Sequence, residues 1–118
     1  MAGETRKTVT IGVQSLDDAK RQVAAAFRGE GQGDHISFVT LELLLKMLTA
    51  KRWEILQAMT GQGALSIREV ARRIGRDIKA VHSDVQALVT AGILEKTEDG
   101  KVIFPYDEVR VDFVLRAA

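Results

Sequence analysis

Apolar and polar residues alternate strictly between positions 8 and 13. Val9, Ile11 and Val13 fall on one side and Thr8, Thr10 and Gly12 on the other, the pattern of a half-buried strand. The period then lengthens. Ser15 and Asp18 have capping-box spacing, and Leu16, Ala19, Val23 and Phe27 line one face of a helix that Gly29 ends. Residues 29–34 hold three spaced glycines, but they follow a helix, whereas a phosphate-binding loop precedes one, and no Lys-Ser or Lys-Thr comes after. They read as a turn. His35 to Val39 is a second expected strand. Thr40 caps a short helix with Leu41, Leu44, Leu45 and Leu48 on one side. Thr49 caps the next, which carries Trp53, Leu56 and Met59 inward and stops at Gly61.

Residues 66–92 are the most informative. Ser66 and Glu69 have capping-box spacing, and Ile67, Val70, Ala71 and Ile74 form an apolar stripe. Gly75-Arg76-Asp77 is a tight connection in which Gly75 takes positive φ at the end of the first helix. Asp77 caps a second helix with Ile78, Val81, Val85, Leu88 and Val89 on its inner face, closed by Gly92. Two short helices joined by three residues have the form of a helix-turn-helix. Ile93 to Thr97 and Val102 to Phe104 then read as two strands around Glu98-Asp99-Gly100-Lys101, where Asp-Gly favours a primed hairpin turn. Helix, turn, helix and β-hairpin in this order spell a winged helix.

Ala91-Gly92-Ile93-Leu94-Glu95 resembles the junction between recognition helix and wing in MarR-like regulators, and Ser66-Ile67-Arg68-Glu69-Val70-Ala71 resembles the opening of their helix-turn-helix. The run Gly75 to Leu88 is similar to a narrower group of small prokaryotic MarR-like regulators, some of them antitoxin-like. The resemblance covers about residues 40–106. It implies a DNA-binding transcriptional regulator, a repressor, acting on double-stranded DNA as a homodimer. The expected architecture is α+β: a strand-helix-strand extension over 1–39 that offers a dimerisation or partner surface, a winged helix-turn-helix over 40–106, and a C-terminal strand over 107–118.

Charge sharpens the picture. The formal net charge is only +1, yet residues 46–83 hold eight bases (Lys46, Lys51, Arg52, Arg68, Arg72, Arg73, Arg76, Lys79) against three acids (Glu54, Glu69, Asp77). From Asp84 onward seven acids oppose four bases. A basic block beside an acidic tail fits two different surfaces, although solvated charge scatters this way by chance as well. Helical spacing turns Lys79, Ala80, His82, Ser83 and Gln86 outward on the second helix. Ser66, Arg76 and Lys79 are the expected phosphate contacts, with Ser66 at a helix N-terminus that favours an anion. His82, Ser83 and Gln86 are the expected base readers, and Gln86 has the geometry for a bidentate pair with adenine. Lys101, at the wing tip, is placed for a flanking phosphate or the minor groove. Asp84 repels phosphate unless paired with a base donor or Arg/Lys, so it is expected to point sideways.

No catalytic constellation is visible. His35 and His82 lie in separate elements without carboxylates at metal-ligand spacing, and Asp17-Asp18 and Asp107-Glu108 are adjacent pairs that point apart. The chain reads as a non-enzyme with no cofactor and no metal. It has no cysteine, no apolar run long enough to span a bilayer and no signal-peptide layout at Met1–Glu4, which fits a cytoplasmic protein. In the tail, Val109, Val111, Phe113 and Leu115 alternate with Arg110, Asp112, Val114 and Arg116, a strand that needs cover. It pairs either with residues 8–13 of its own chain or, as the favoured reading, helps build a homodimer; strand addition to a protein partner such as a toxin is the third option. The alternative function is accordingly an antitoxin or adaptor that grips such a partner and binds DNA for autoregulation.

Overall fold

The computed structural model describes residues 7–27, 34–115 and 117. It is an α+β fold. Strand β1 (Thr8–Val13) leads into helix α1 (Leu16–Phe27) and strand β2 (Asp34–Phe38). Four helices follow: α2 (Leu41–Met47), α3 (Ala50–Met59), α4 (Ile67–Ile74) and α5 (Ile78–Thr90). Strands β3 (Glu95–Lys96) and β4 (Val102–Ile103) form a hairpin, and β5 (Glu108–Asp112) ends the chain's regular structure. The side chains of Val23 and Phe27 and the glycine loop at 29–33 lie outside the described residues.

The three long strands form a parallel sheet in the order β2-β1-β5. Register sets its two faces. Ile11 lies beside Ile36 and Val111, and Val9 beside Val109, while Thr10 lies between His35 and Arg110 on the other face. Val9 and Ile11 are fully buried, so the alternation in residues 8–13 is the burial pattern of the central strand. The C-terminal strand thus pairs inside its own chain with β1; the homodimer expectation does not describe this pairing. Gly12 permits it, because a Cβ there would stand 2.3 Å from the Asp112 carbonyl oxygen.

One apolar core serves sheet and helices alike: Val9 and Ile11 join Leu44, Ile55, Leu56, Val81, Val85, Leu88 and Phe104 in it. The helix starts follow the sequence. Thr40, Thr49 and Ser66 each accept a hydrogen bond from the backbone N–H three residues on, and Asp77 accepts from Lys79 and Ala80. The box at α4 is one-sided, since Glu69 turns its carboxylate to Arg72 and Arg73. Gly75 ends α4 at φ 67°, as expected.

Several expectations are corrected. Leu16 is exposed, and so is Leu45 of α2, a helix that reaches the core through Leu44 and Leu48, with Met47 packed against it. Ile78 is 42% exposed, since the first turn of α5 overhangs the core that Val81 enters. Trp53 is half-buried at the margin of α3. The hairpin turn is not of the primed type. A type I′ turn at Asp99-Gly100 needs positive φ at both residues, and only Gly100 has it, at 83°, while a type II′ turn needs a two-residue loop. Instead the Gly100 N–H bonds to the Thr97 carbonyl and the Thr97 N–H to the Lys101 carbonyl, a longer loop. Ile93 and Leu94 accordingly enter the core from the turn after α5 and not from the strand.

Candidate nucleic-acid interface

Helix α5 has two unlike sides. Val81, Val85 and Leu88 are buried to within 1% of fully, while Lys79, Ala80, His82, Ser83 and Gln86 all face solvent. The outward spacing expected from the sequence therefore stands on a rigid base. His82, Ser83 and Gln86 share an open groove of about 580 Å³, which Ala87, Thr90 and Ala91 continue and which Met47 of α2 borders. Met47 was not foreseen, because its approach to α5 is a long-range contact that spacing along the chain does not encode.

Asp84 is where the basic block loses part of its charge. Its carboxylate accepts from Arg52 Nε at 3.0 Å and from Arg76 Nη2 at 2.9 Å, and Arg52 Nη1 also donates to the Met47 carbonyl at 2.9 Å. All three side chains are at most one-fifth exposed. Burial pushes the Asp84 carboxyl up, but the hydrogen bonds from Arg76 and Arg52 outweigh it and leave it below the usual carboxylate range. Arg76 is thus drawn back as a strut between the α4–α5 turn and α5, and its Nη1 is out of solvent without a protein partner. It does not stand open for phosphate as the sequence reading expected. Asp84 points sideways into this pairing, as expected.

A second carboxylate neutralises two more bases. Glu69 accepts from Arg72 at 2.9 and 2.6 Å and from Arg73 at 2.7 Å, and these hydrogen bonds hold its carboxyl down at about 2. Of the eight bases between 46 and 83, four are thereby paired; Lys46, Lys51, Arg68 and Lys79 are exposed and have no acidic partner among the described residues. Arg68, in the first turn of α4, joins the candidates that the sequence reading named; its signal was position on a capped first turn.

The hairpin brings the remaining two candidates together. Leu65 and Val102 exchange backbone hydrogen bonds of 2.8 and 2.9 Å as an antiparallel bridge. Ser66 and Lys101 are each one residue from this bridge. The α4 N-terminus and the hairpin loop are therefore one locality, with Lys101 about half exposed and 3.9 Å from Asp99. Among the described residues no cluster of His, Asp and Glu is arranged to hold a metal ion, and no helix is long and apolar enough to cross a membrane.

A sequence profile of one family, HVO_A0114, matches residues 47–111, more than half of the chain. The chain belongs to the HVO_A0114 family. The part shared with the HVO_A0114 family runs from the last residue of α2 through α3, α4, α5 and the hairpin into β5. It contains each of the candidate residues from Ser66 to Lys101, and it stops short of β1, on which β5 is built. No curated protein matches the chain.

Proposed function

We propose that this member of the HVO_A0114 family is a sequence-specific DNA-binding transcriptional regulator, a repressor, and that α4, α5 and the hairpin act as a winged helix-turn-helix of the MarR-like kind. The observation that carries the reading is the outward face of α5. Lys79, His82, Ser83 and Gln86 stand in solvent on a helix whose other side is fixed in the core and whose start is capped by Asp77. A helix entering the major groove needs this arrangement: a stiff base, short polar side chains that reach base edges, and positive charge beside them.

In this reading Gln86 pairs with adenine, His82 and Ser83 read neighbouring bases, and Lys79 holds a phosphate. Ser66 and Lys101, one locality, grip the flanking backbone, and Arg76 contributes by fixing the turn. The regulator acts as a homodimer on a two-fold site.

Gel-shift titration on the duplex upstream of its own gene tests the reading. Binding must be salt-sensitive, with log K falling linearly in log[salt]. Lys79→Ala lowers affinity on all duplexes and reduces the salt slope by about one, while Gln86→Ala costs about 1–3 kcal/mol of discrimination at one base position. Binding that is absent, or equal on unrelated duplexes, overturns it.

The alternative is an antitoxin or adaptor whose main task is gripping a toxin-like protein. The observation that favours it is the exposed apolar end of the chain, where Val111, Phe113, Val114 and Leu115 are 43–85% exposed.

A further inference from the structure

We infer that β5 is the seat of a homodimer, in which two copies join antiparallel about Val111 and each inserts Phe113 into a cleft of the other. Strand β5 is an edge: β1 flanks it on one side, and no strand flanks it on the other among the described residues. An edge strand offers a row of main-chain donors and acceptors to any chain that can lie along it. This edge is apolar as well, with Val111 48% and Phe113 43% exposed. Beside it, between α3 and β5, runs a cleft of about 410 Å³ bordered by Trp53, Leu56, Val109 and Val111.

The sequence of β5 says what lies there. A two-fold axis normal to the sheet reverses the strand and keeps both apolar faces on the same side. Centred on Val111, that operation sets Arg110 opposite Asp112 of the second copy, and Asp112 opposite its Arg110, on the polar face. On the apolar face Val111 meets Val111, and Val109 meets Phe113. Directly opposed side chains have Cβ atoms about 5 Å apart, so each Phe113 arrives beside Val109, at the mouth of the cleft.

Neighbouring registers fail. Centring on Arg110 opposes two arginines and sets Glu108 against Asp112, and centring on Asp112 opposes two aspartates. Centring on Val109 restores Glu108–Arg110 pairs but sets Val111 against Asp107 and carries Phe113 past the cleft to Pro105. The other edge, β2 with Asp34, His35, Ile36, Ser37 and Phe38, has no such self-complementary charges. Over residues 109–113 one register of one edge satisfies both faces, and the result is a continuous sheet of six strands.

Sedimentation of the full chain over a range of concentrations, without DNA, tests the dimer independently of the DNA reading. The wild type is expected to dimerise, and the emission of Trp53, the only tryptophan, to shift to the blue over the same range as the cleft fills. Arg110→Asp and Asp112→Arg each create two like-charge pairs per dimer and weaken association about tenfold or more. The double variant exchanges the charges and restores association. Phe113→Ala weakens the dimer without touching the charges, and it decides the matter should a charge variant fail to fold. A wild type that stays monomeric overturns the inference; so do single variants that associate like wild type, or a double variant as weak as the singles. A dimer lost with Phe113 but indifferent to the charges overturns the register.

Discussion

Helix α5 and strand β5 meet solvent in opposite ways. α5 sinks Val81, Val85 and Leu88 into the core and turns polar side chains outward, whereas β5 buries little beyond one side of Val109 and turns outward hydrocarbon at Val111 and, just past its end, at Phe113. A polar ridge over a dry base is at ease in water and gains from a charged ligand only when one arrives. An apolar edge loses about 25 cal/mol for every Å² it leaves wet, so it favours cover at all times. The two surfaces thus differ in kind: the first suits the transient ligand proposed for it, the second the lasting partner proposed for it. The contrast holds only while α5 is rigidly based, β5 is firmly seated on β1, and the charges near α5 can be told apart as structural or available.

The base of α5 breaks most severely at Asp84. Asp84→Ala leaves two mostly buried guanidinium groups facing each other, one of them with no other protein acceptor, and the expected loss is about 3 kcal/mol, below the full cost for a deeply buried pair because the groups keep some solvent. Urea denaturation reads it. The effect depends on pH with a definite sign. The carboxyl is held below its usual value in the folded chain, so its contribution is complete above the unfolded value of about 4 and fades as pH falls through the folded one. The gap between wild type and Asp84→Asn therefore narrows in acid. A gap that is constant down to the acid limit would refute the pairing as the source of stability.

The seating of β5 breaks at Gly12. Any side chain there meets the Asp112 carbonyl oxygen at 2.3 Å, a backbone atom that yields only if the strand moves. Gly12→Ala is expected to cost about 2 kcal/mol in urea denaturation, the scale of a tight core overpacked by one carbon. The proposed dimer weakens with it, because β5 shifts relative to Trp53 and the cleft. Affinity of the folded chain for a duplex carrying a single half-site stays unchanged, whereas binding to a two-fold site falls with the dimer. Equal loss of both functions would mean that the two surfaces are one coupled unit, contrary to the comparison.

The same two regions differ in how far the sequence discloses them. Around α5 the controlling contacts are local. Ser66 to Glu69, Asp77 to Lys79 and Gly75 at positive φ are fixed by residues at most three apart, so caps and turns were readable from spacing. The sheet is built otherwise: Lys7 and Asp107, a hundred residues apart, bond as β1 and β5 meet, and no local pattern says that these strands pair. What misled within the local region was also long-range. Arg76 looked available because its acceptor Asp84 is two helical turns away, and the companion Arg52 is on another helix. Ile78 looked buried because spacing gives the face but not where the core ends. The α+β class and the exposed residues of α5 were therefore legible, whereas the division of the bases into paired and open ones was not.

The finest test of that division is Lys101. Its ammonium is half exposed, only distantly associated with Asp99, and set beside Ser66 by the Leu65–Val102 bridge. An exposed charge of this kind adds little to folding, so Lys101→Ala is expected to shift stability by less than about 0.5 kcal/mol. If it holds a flanking phosphate, the same variant lowers DNA affinity uniformly across sequences and takes about one unit from the salt slope, leaving base preference intact. Arg76→Ala should do the reverse: it unseats Asp84 and costs stability, with a smaller effect on the salt slope. A crossed result, with Lys101 structural and Arg76 setting the salt slope, would invert the assignment and place the open positive charge at the α4–α5 turn instead of the hairpin.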